Sequence, residues 1–322
     1  MKVAVIGVGH WGKNLVRTFK ELNALGAVVE SRREIREKLV VEHPGLPVYA
    51  DYRSALETEI PAVAVATPGP DHYPIARAAL LAGKDVFVEK PMTLSSAEAE
   101  ELVRLAEDKK RILMVGHLLL YQPAVGWIKE YLASGVLGEV SFIHQDRLAL
   151  GRACAVENVL WSLGVHDVAS LLYLTGRAPT GLSITGARVI QPDVEDDIHL
   201  DLFFTGGLQA HLHASWLWPE KKRQMVIAGT NGFLVYNEVE QTVTLHRKGI
   251  NPDLTNRDEG EEVVYRGEGL PLTRELEHFL ACLAGRRPPL SDGRNGLAVI
   301  RILEEAGRLL LSEKNKKIRA KM

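Results

Sequence analysis

The sequence predicts an α/β protein in two parts. Residues 1–119 read as a doubly wound parallel sheet, and residues 120–322 as a second α/β domain with a large, mostly antiparallel sheet. Three observations carry this reading. Short runs rich in Val, Ile and Ala alternate with longer stretches of helical period through the first third of the chain, as strands covered by helices on both faces do. The first of those runs leads straight into "GVGHWG". Later the pattern changes to strict alternation of apolar and polar residues, the mark of a sheet with one buried face.

The six apolar runs are "KVAVIGVG", "GAVVES", "LPVYA", "PAVAVATP", "DVFVEKP" and "RILMVGH". Between them, "NLVRTFKELNAL", "DHYPIARAALLAG" and "SSAEAEELVRLAEDKK" have helical period. The set ends near Gly116 or His117, so the junction falls within residues 117–123. A helical stretch, "AVGWIKEYLASG", is followed by "ENVLWSLGVHDVASLLYLTG". The latter reads as a buried helix, with Leu163, Val165, Val168, Leu171, Leu172 and Leu174 apolar, yet His166 and Asp167 stand side by side within it. In "LQAHLHASW", Leu208, Ala210, Leu212, Ala214 and Trp216 share one face, while Gln209, His211, His213 and Ser215 share the other. "DIHLDLFF", "FLVYNE" and "TVTLH" alternate likewise between Gly and Asn turns. Two helices, "LTRELEHFLACLAG" and "NGLAVIRILEEAGRLLLS", close the chain.

Composition narrows the function. At 322 residues there is room for two cores. A hydrophobic content of 46%, a charged content of 25% and a net charge of −2 offer no basic field for nucleic acid. The basic terminus "EKNKKIRAKM" reads as a solvated end. Cys154 and Cys282 have no paired spacing, which argues against a disulfide framework or a CxxC zinc site and for a reducing compartment. The apolar start is short, glycine-interrupted and lacks a cleavage site. With no run of about 20 apolar residues to span a bilayer, a cytoplasmic protein without membrane partners is expected.

The chemistry starts at Gly7-Val8-Gly9-His10-Trp11-Gly12. Its first glycine permits the tight turn, its second lets backbone approach a pyrophosphate, and its third lets helix pack on strand. Strand, glycines and helix in this order point to a dinucleotide. Glu30 lies 18 residues beyond Gly12 at the end of the second run. A carboxylate there accepts from ribose hydroxyls and repels a 2′-phosphate, which favours NAD. Arg32 and Arg33 follow at once, and arginine suits a 2′-phosphate, so NADP is not excluded. "ATPGPDHYP" ends the fourth run and brings Ala66, Thr67 and Pro68 to the cofactor edge. The fifth run ends in Glu89 and Lys90 at a strand's carboxyl end, where open α/β sheets bind ligands. Pro91 restrains Lys90 to extended backbone. A lysine in such a cleft can accept a proton or bind a hydroxyl.

Taken in order, the GxGxxG, "ATP…H", "EKP", "VGH…YQPAV…G.LGEV" and "LGVHD…LLYLTG", with the late "GTNGFLVYNE" and "SDGRNGLAVIRILEEA", resemble the Gfo/Idh/MocA family of oxidoreductases essentially end to end. The resemblance implies a Rossmann domain followed by an α/β domain whose open sheet makes homo-oligomer contacts, as a dimer or tetramer. It also implies NAD(P)-dependent oxidation or reduction of a sugar, cyclitol or related hydroxyl. Lys90 and His166 would then flank the reacting carbon. Gly7, Gly9, His10, Trp11, Gly12, Glu30, Arg32, Ala66, Thr67, Pro68, His72, Glu89 and Lys90 would hold the cofactor. Gln122, Trp161 and Asp167 would join Lys90 and His166 at the substrate. A helix beginning near Ser162 or Gly164 would put His166 in its first turn, where the dipole keeps the ring neutral. Many relatives carry aspartates where this chain has Ser162 and Ala169, so the proton relay rests on Lys90 and His166.

"VLWSLGVHD" and "SWLWPEKKRQMVIAGTNGFLVYNE" resemble the branch that oxidises the 3-hydroxyl of UDP-linked N-acetylhexosamines or their uronates. Arg147, Arg152, Lys221, Lys222 and Arg223 are the cations a diphosphate would meet. An inositol or free-sugar dehydrogenase is the alternative enzyme, and a non-catalytic dinucleotide sensor the alternative class. His211 and His213 form an H-x-H on one strand face, but no third ligand stands at a convincing spacing. The expectation is an exposed or interface sheet face with no metal.

Overall fold

In the computed structural model, which describes residues 1–319 apart from Arg152 and Val156, with side chains to Ser312, the six apolar runs become one parallel sheet. Strands β1 (Val3–Ile6), β2 (Leu25–Val29), β3 (Val48–Tyr49), β4 (Ala62–Val65), β5 (Asp85–Val88) and β6 (Leu113–Val115) pair in the order β3-β2-β1-β4-β5-β6. Every residue of β1, β4, β5 and β6 is buried, as strands covered on both faces must be. The crossovers include α1 (Gly12–Glu21), α2 (Arg33–Glu42), α3 (Tyr52–Leu56), α4 (Gly69–Leu81) and α5 (Ser96–Asp108). The order reverses between β1 and β4, so the carboxyl ends of those strands border the crevice where ligands of such sheets bind.

The chain forms two compact units, and the first is not contiguous. It holds Met1–Tyr121 together with Leu270–Arg301, which includes α8 (Pro271–Gly285) and the start of α9 (Gly293–Arg319). The return is held at β6. The Ser291 hydroxyl donates to the Val115 carbonyl (2.6 Å), and the Val115 N–H donates to the Ser291 carbonyl (2.8 Å). Phe279 of α8 packs edge-on against Phe87 of β5, ring centroids 5.7 Å apart.

The second unit holds Gln122–Gly269 and the chain from Ile302 onward. Its helices are α6 (Pro123–Ala133) and α7 (Val165–Thr175). Its strands are β7 (Val140–Leu150), β8 (Gly181–Ala187), β9 (Asp197–Phe203), β10 (Gln209–Ser215), β11 (Leu217–Gly229), β12 (Gly232–Asn237), β13 (Thr242–Ile250) and β14 (Asn256–Arg266). They form one sheet, ordered β14-β13-β12-β11-β7-β10-β9-β8, in which only β7 and β10 run parallel. The alternation in "LQAHLHASW" is realised as expected: Ala210, Leu212 and Ala214 are buried, while His211 and His213 lie on the other face. No helix among the described residues is long and apolar enough to cross a membrane. Cys154 and Cys282 are both free thiols.

Candidate active site

The glycine loop is built as the motif requires. Gly7 has φ +91°, and a Cβ at Gly12 would sit 2.0 Å from the Gly7 carbonyl oxygen, so neither position accepts a side chain. A Cβ at Gly9 would meet nothing within 4 Å, which leaves the backbone there open to a ligand. A cleft of about 750 Å³ lies beside it, lined by Gly7, Gly9, Glu30, Arg32, Ala66 and Thr67 among others. Inside the protein the Thr67 hydroxyl is buried without a hydrogen-bond partner, a polar atom left for something in the cleft. Pro68 caps α4 at the same edge, and His10 is exposed. These residues fit a dinucleotide.

Glu30 and Arg32 meet at the cleft. The Glu30 carboxylate accepts from the Val8 N–H (3.0 Å), the Arg32 N–H (2.9 Å) and both Arg32 Nε and Nη2 (2.9 Å each). The Arg32 guanidinium, against the cost of burial and with the two backbone donors, holds the Glu30 pKa down at about 2. Glu30 is therefore anionic at neutral pH.

Glu89 points back to the glycine loop. Its Oε1 accepts from Trp11 Nε1 at 2.5 Å and its Oε2 from the Lys90 N–H at 3.3 Å. Gly116 leaves the room this needs, since a Cβ there would lie 2.9 Å from Glu89 Oε2. Burial pushes the Glu89 pKa up to about 7, opposed by the Lys90 charge and the Trp11 donor. The Lys90 side chain is half-buried, and the Lys90–Pro91 peptide is cis. His72 Nδ1 lies 2.7 Å from the Pro91 carbonyl oxygen and its Nε2 2.8 Å from that of Thr67. Both ring nitrogens are thus turned to backbone, and the ring ties the "EKP" loop to the "ATP" loop. Burial lowers its pKa against the pull of the two carbonyls, and a neutral ring donates to only one of them.

In the second unit, His166 is half-buried on α7. The α-helix begins at Val165, next to Gly164 as expected, but not as a free helix end. A π-helical turn over Leu160–Gly164 runs directly into α7, and the Ser162 N–H already donates to the Asn158 carbonyl at 3.1 Å. His166 therefore follows a formed turn, which removes the first-turn dipole argument for its neutrality. Gly164 is required here for packing on β10, because a Cβ would come within 2.7 Å of Leu160 and 3.3 Å of Leu212. Trp161 is half-buried in the π-helical turn, its N–H donating to Asn158 Oδ1 at 3.3 Å.

Asp167 is 2% exposed and accepts from Arg147 Nε at 2.5 Å and Nη2 at 2.9 Å. Arg147 also reaches Glu238 at 2.6 Å. Each carboxylate oxygen of Asp167 is thus engaged by Arg147, and the Arg147 guanidinium is engaged by two carboxylates inside the protein. Arg223 is shared with Glu238 at 3.2 Å and Lys222 with Asp146 at 2.7 Å, whereas Lys221 is exposed on β11. Arg152 lies outside the described residues. Gln122 is 6% exposed, and its Oε1 accepts from the Tyr236 hydroxyl, which fastens the start of α6 to β12.

Profiles of protein families match residues 1–117 to the oxidoreductase family with an NAD-binding Rossmann fold, and residues 126–235 to the Gfo/Idh/MocA C-terminal domain. The uncharacterized oxidoreductase YdgJ of Escherichia coli (strain K12) is 34% identical over 289 residues, 84% of this chain and 76% of that one. The chain belongs to the Gfo/Idh/MocA oxidoreductase family. The UDP-N-acetylglucosamine 3-dehydrogenase of Acidithiobacillus ferrooxidans is 28% identical over 309 residues, 93% of this chain and 94% of that one. Its solved structure superposes with a TM-score of 0.85 over 96% of this chain and 97% of that one, at 26% identity. An inositol 2-dehydrogenase of Streptomyces avermitilis is 33% identical over 214 residues, 64% of this chain and 62% of that one. Family membership makes the chain an NAD(P)-dependent oxidoreductase that acts on a CH–OH group.

Two residues of this Gfo/Idh/MocA chain have a place near Lys90 that sequence reading did not assign. His117, from the quoted "VGH", is buried with neither ring nitrogen hydrogen-bonded to protein. Burial, then the Lys90 charge, lowers its pKa to about 3, so it is a neutral ring beside the lysine. Glu275 of α8 is 1% exposed, and its Oε1 has no partner. Burial and then the Glu89 charge raise its pKa well above the carboxylate range. The signal for Glu275 lay in periodicity: it shares the stripe of Phe279 and Cys282, four and seven residues on. A group whose folded pKa is raised contributes stability below its unfolded value and loses it as pH rises through the folded value. Glu275→Gln is therefore expected to match the wild type in Tm at pH 5 and to exceed it at pH 9. Equal Tm losses in both proteins between those pH values would refute this.

Proposed function

We propose that the chain is an NAD-dependent dehydrogenase for the 3-hydroxyl of a UDP-linked N-acetylhexosamine or its uronate. The similarity to the Acidithiobacillus ferrooxidans enzyme along nearly the full length of both chains carries this reading. When bound, the nicotinamide supplies the hydride acceptor at its C4. The chain's own residues do the remainder. Lys90, fixed by Glu89 and Pro91 at the carboxyl end of β5, binds the substrate hydroxyl and takes its proton as the carbinol hydrogen leaves as hydride. His166 is the second proton-handling group. Gly7, Gly9 and Gly12 hold the pyrophosphate against the start of α1. Assembly through the second sheet belongs to the same proposal.

The choice of NAD rests on the Glu30 carboxylate at the cleft, anionic at neutral pH and already facing Arg32. A 2′-phosphate would meet that charge first. With Arg32 kept, Glu30→Ala is expected to raise the NADP-to-NAD ratio of kcat/KM roughly 10-fold or more. An unchanged ratio would remove Glu30 as the selector.

The reaction itself is tested by reduced-nicotinamide formation, with a trap for the ketone. NAD and NADP are offered separately, each with UDP-N-acetylglucosamine, its uronate, myo-inositol and glucose. Turnover with a nucleotide sugar alone supports the proposal. Turnover with myo-inositol alone favours the inositol reading, to which the similarity with the Streptomyces avermitilis enzyme lends weight. Dinucleotide binding without turnover on any of the four excludes the proposed substrates and favours a sensor.

A further inference from the structure

The second sheet carries a row of histidines and carboxylates on one face. His144 pairs with Asp146 at 2.9 Å and His211 with Asp201 at 2.7 Å, one ring to one carboxylate in each case. The third group is different. β9 and β10 pair antiparallel, with His199 opposite His213 and Asp197 opposite Ser215. Asp197 and His199 are two residues apart and so share a face with His213. His213 Nε2 lies 3.0 Å from Asp197 Oδ2, and His199 Nε2 lies 3.6 Å from Asp197 Oδ1. The two rings stack with centroids 3.9 Å apart at 18°. Among the described residues this is the group of three or more potential metal ligands whose donor atoms come within 4.8 Å of one another. Of the H-x-H on β10 only His213 takes part, and the other two potential ligands come from the neighbouring strand β9.

We propose that Asp197, His199 and His213 form a binding site for a divalent first-row transition ion of the zinc class. Two imidazole nitrogens and one carboxylate oxygen are the donor set such ions take, and three protein ligands leave a fourth position open. At bond lengths of about 2.0–2.2 Å, tetrahedral ligand atoms stand roughly 3.3–3.5 Å apart. Each histidine nitrogen lies near that spacing from one Asp197 oxygen, His213 Nε2 from Oδ2 at 3.0 Å and His199 Nε2 from Oδ1 at 3.6 Å. The Trp218 ring stands edge-on against His213 at 5.6 Å and fixes its plane. His213 is largely buried and Asp197 partly so, while His199 is exposed, giving an ion access from one side.

Chelator-treated full-length protein, titrated at neutral pH with Zn²⁺ by calorimetry and with Co²⁺ by visible absorption, tests this. The expected result is saturable binding of one ion per chain. His213→Ala and Asp197→Asn are expected to weaken it about 100-fold or more, since even outer partners of a metal ligand are worth 10–100-fold. His211→Ala, on the same strand and face, is expected to leave affinity within about 3-fold. Asp197→Asn keeps the side-chain shape, so its loss of binding reports the ligand and not a misfolded strand. Binding without saturation, or an equal loss in His211→Ala, would overturn the site in favour of a diffuse histidine-rich surface.

Discussion

Replacing Lys90 with methionine is expected to lower kcat about 10²–10⁴-fold and to leave dinucleotide affinity near that of the wild type. Methionine keeps the length of the side chain and removes the amine. The cofactor cleft is lined by Gly7, Gly9, Glu30, Arg32, Ala66 and Thr67 among others, and the Lys90 amine is not among the groups lining it. Kinetics and a binding titration on the same preparation check the split. If affinity fell in step with kcat, Lys90 would be a cofactor anchor and not a proton acceptor. The double variant Lys90→Met, His166→Asn adds a sharper test. Groups that serve one proton transfer are strongly non-additive, so the double variant is expected to be little slower than Lys90→Met alone. Multiplied losses would mean that the two residues act in separate steps.

The surroundings of Lys90 show what a sequence can and cannot disclose. The EKP motif, its strand and its place at the carboxyl end of a parallel sheet were legible, because unbroken apolar runs and a proline are local signals. That Glu89 turns back to Trp11 was not: the two are 78 residues apart and meet only because β1 and β5 lie in one sheet. Glu275 was further out of reach, since α8 returns to the first unit from the far end of the chain. His72 was assigned to the cofactor on motif position alone, whereas its two backbone partners depend on how two loops approach.

The same limit holds for the second sheet. Alternation disclosed which face of "LQAHLHASW" is buried, because a period of two is written in the residues themselves. It does not say which strand lies alongside. The β9–β10 register, which sets His199 opposite His213, follows from the turn at residues 204–208 and had no sequence signature strong enough to read. The helix of His166 starts beside Gly164, as its sequence suggests, but the turn that runs into it was not legible. Asn158 Oδ1 does accept from the Trp161 N–H at the start of the π-helical turn, but nothing in the residues marks its wider winding ahead of α7.

The ion pair beside His166 carries the second large effect. Arg147→Met is expected to cost about 3–5 kcal/mol, the usual penalty for leaving buried charges without their partner. The side chains of Arg147 and Asp167 are each 3% exposed and that of Glu238 12%. Burial works against the Arg147 charge, yet the two carboxylates outweigh it and raise its pKa above the usual value. Without the guanidinium, Asp167 and Glu238 would face each other in the interior, with Arg223 shared only by Glu238. Both pKa values would rise, so the variant would lose further stability as pH rises through them. Thermal melts should therefore show a larger Tm deficit at pH 8 than at pH 5. Arg147→Met combined with Asp167→Leu and Glu238→Leu should recover much of the loss, because a packed apolar cluster replaces a buried ion cluster at little cost. A deficit independent of pH would instead assign the loss to packing of the arginine stem. Asp167 follows His166 directly, and Arg147 joins its helix to β7 and to Glu238 just beyond β12. The charge in that apolar helix fixes where its histidine stands, and Arg147→Met is accordingly expected to lower kcat as well as Tm.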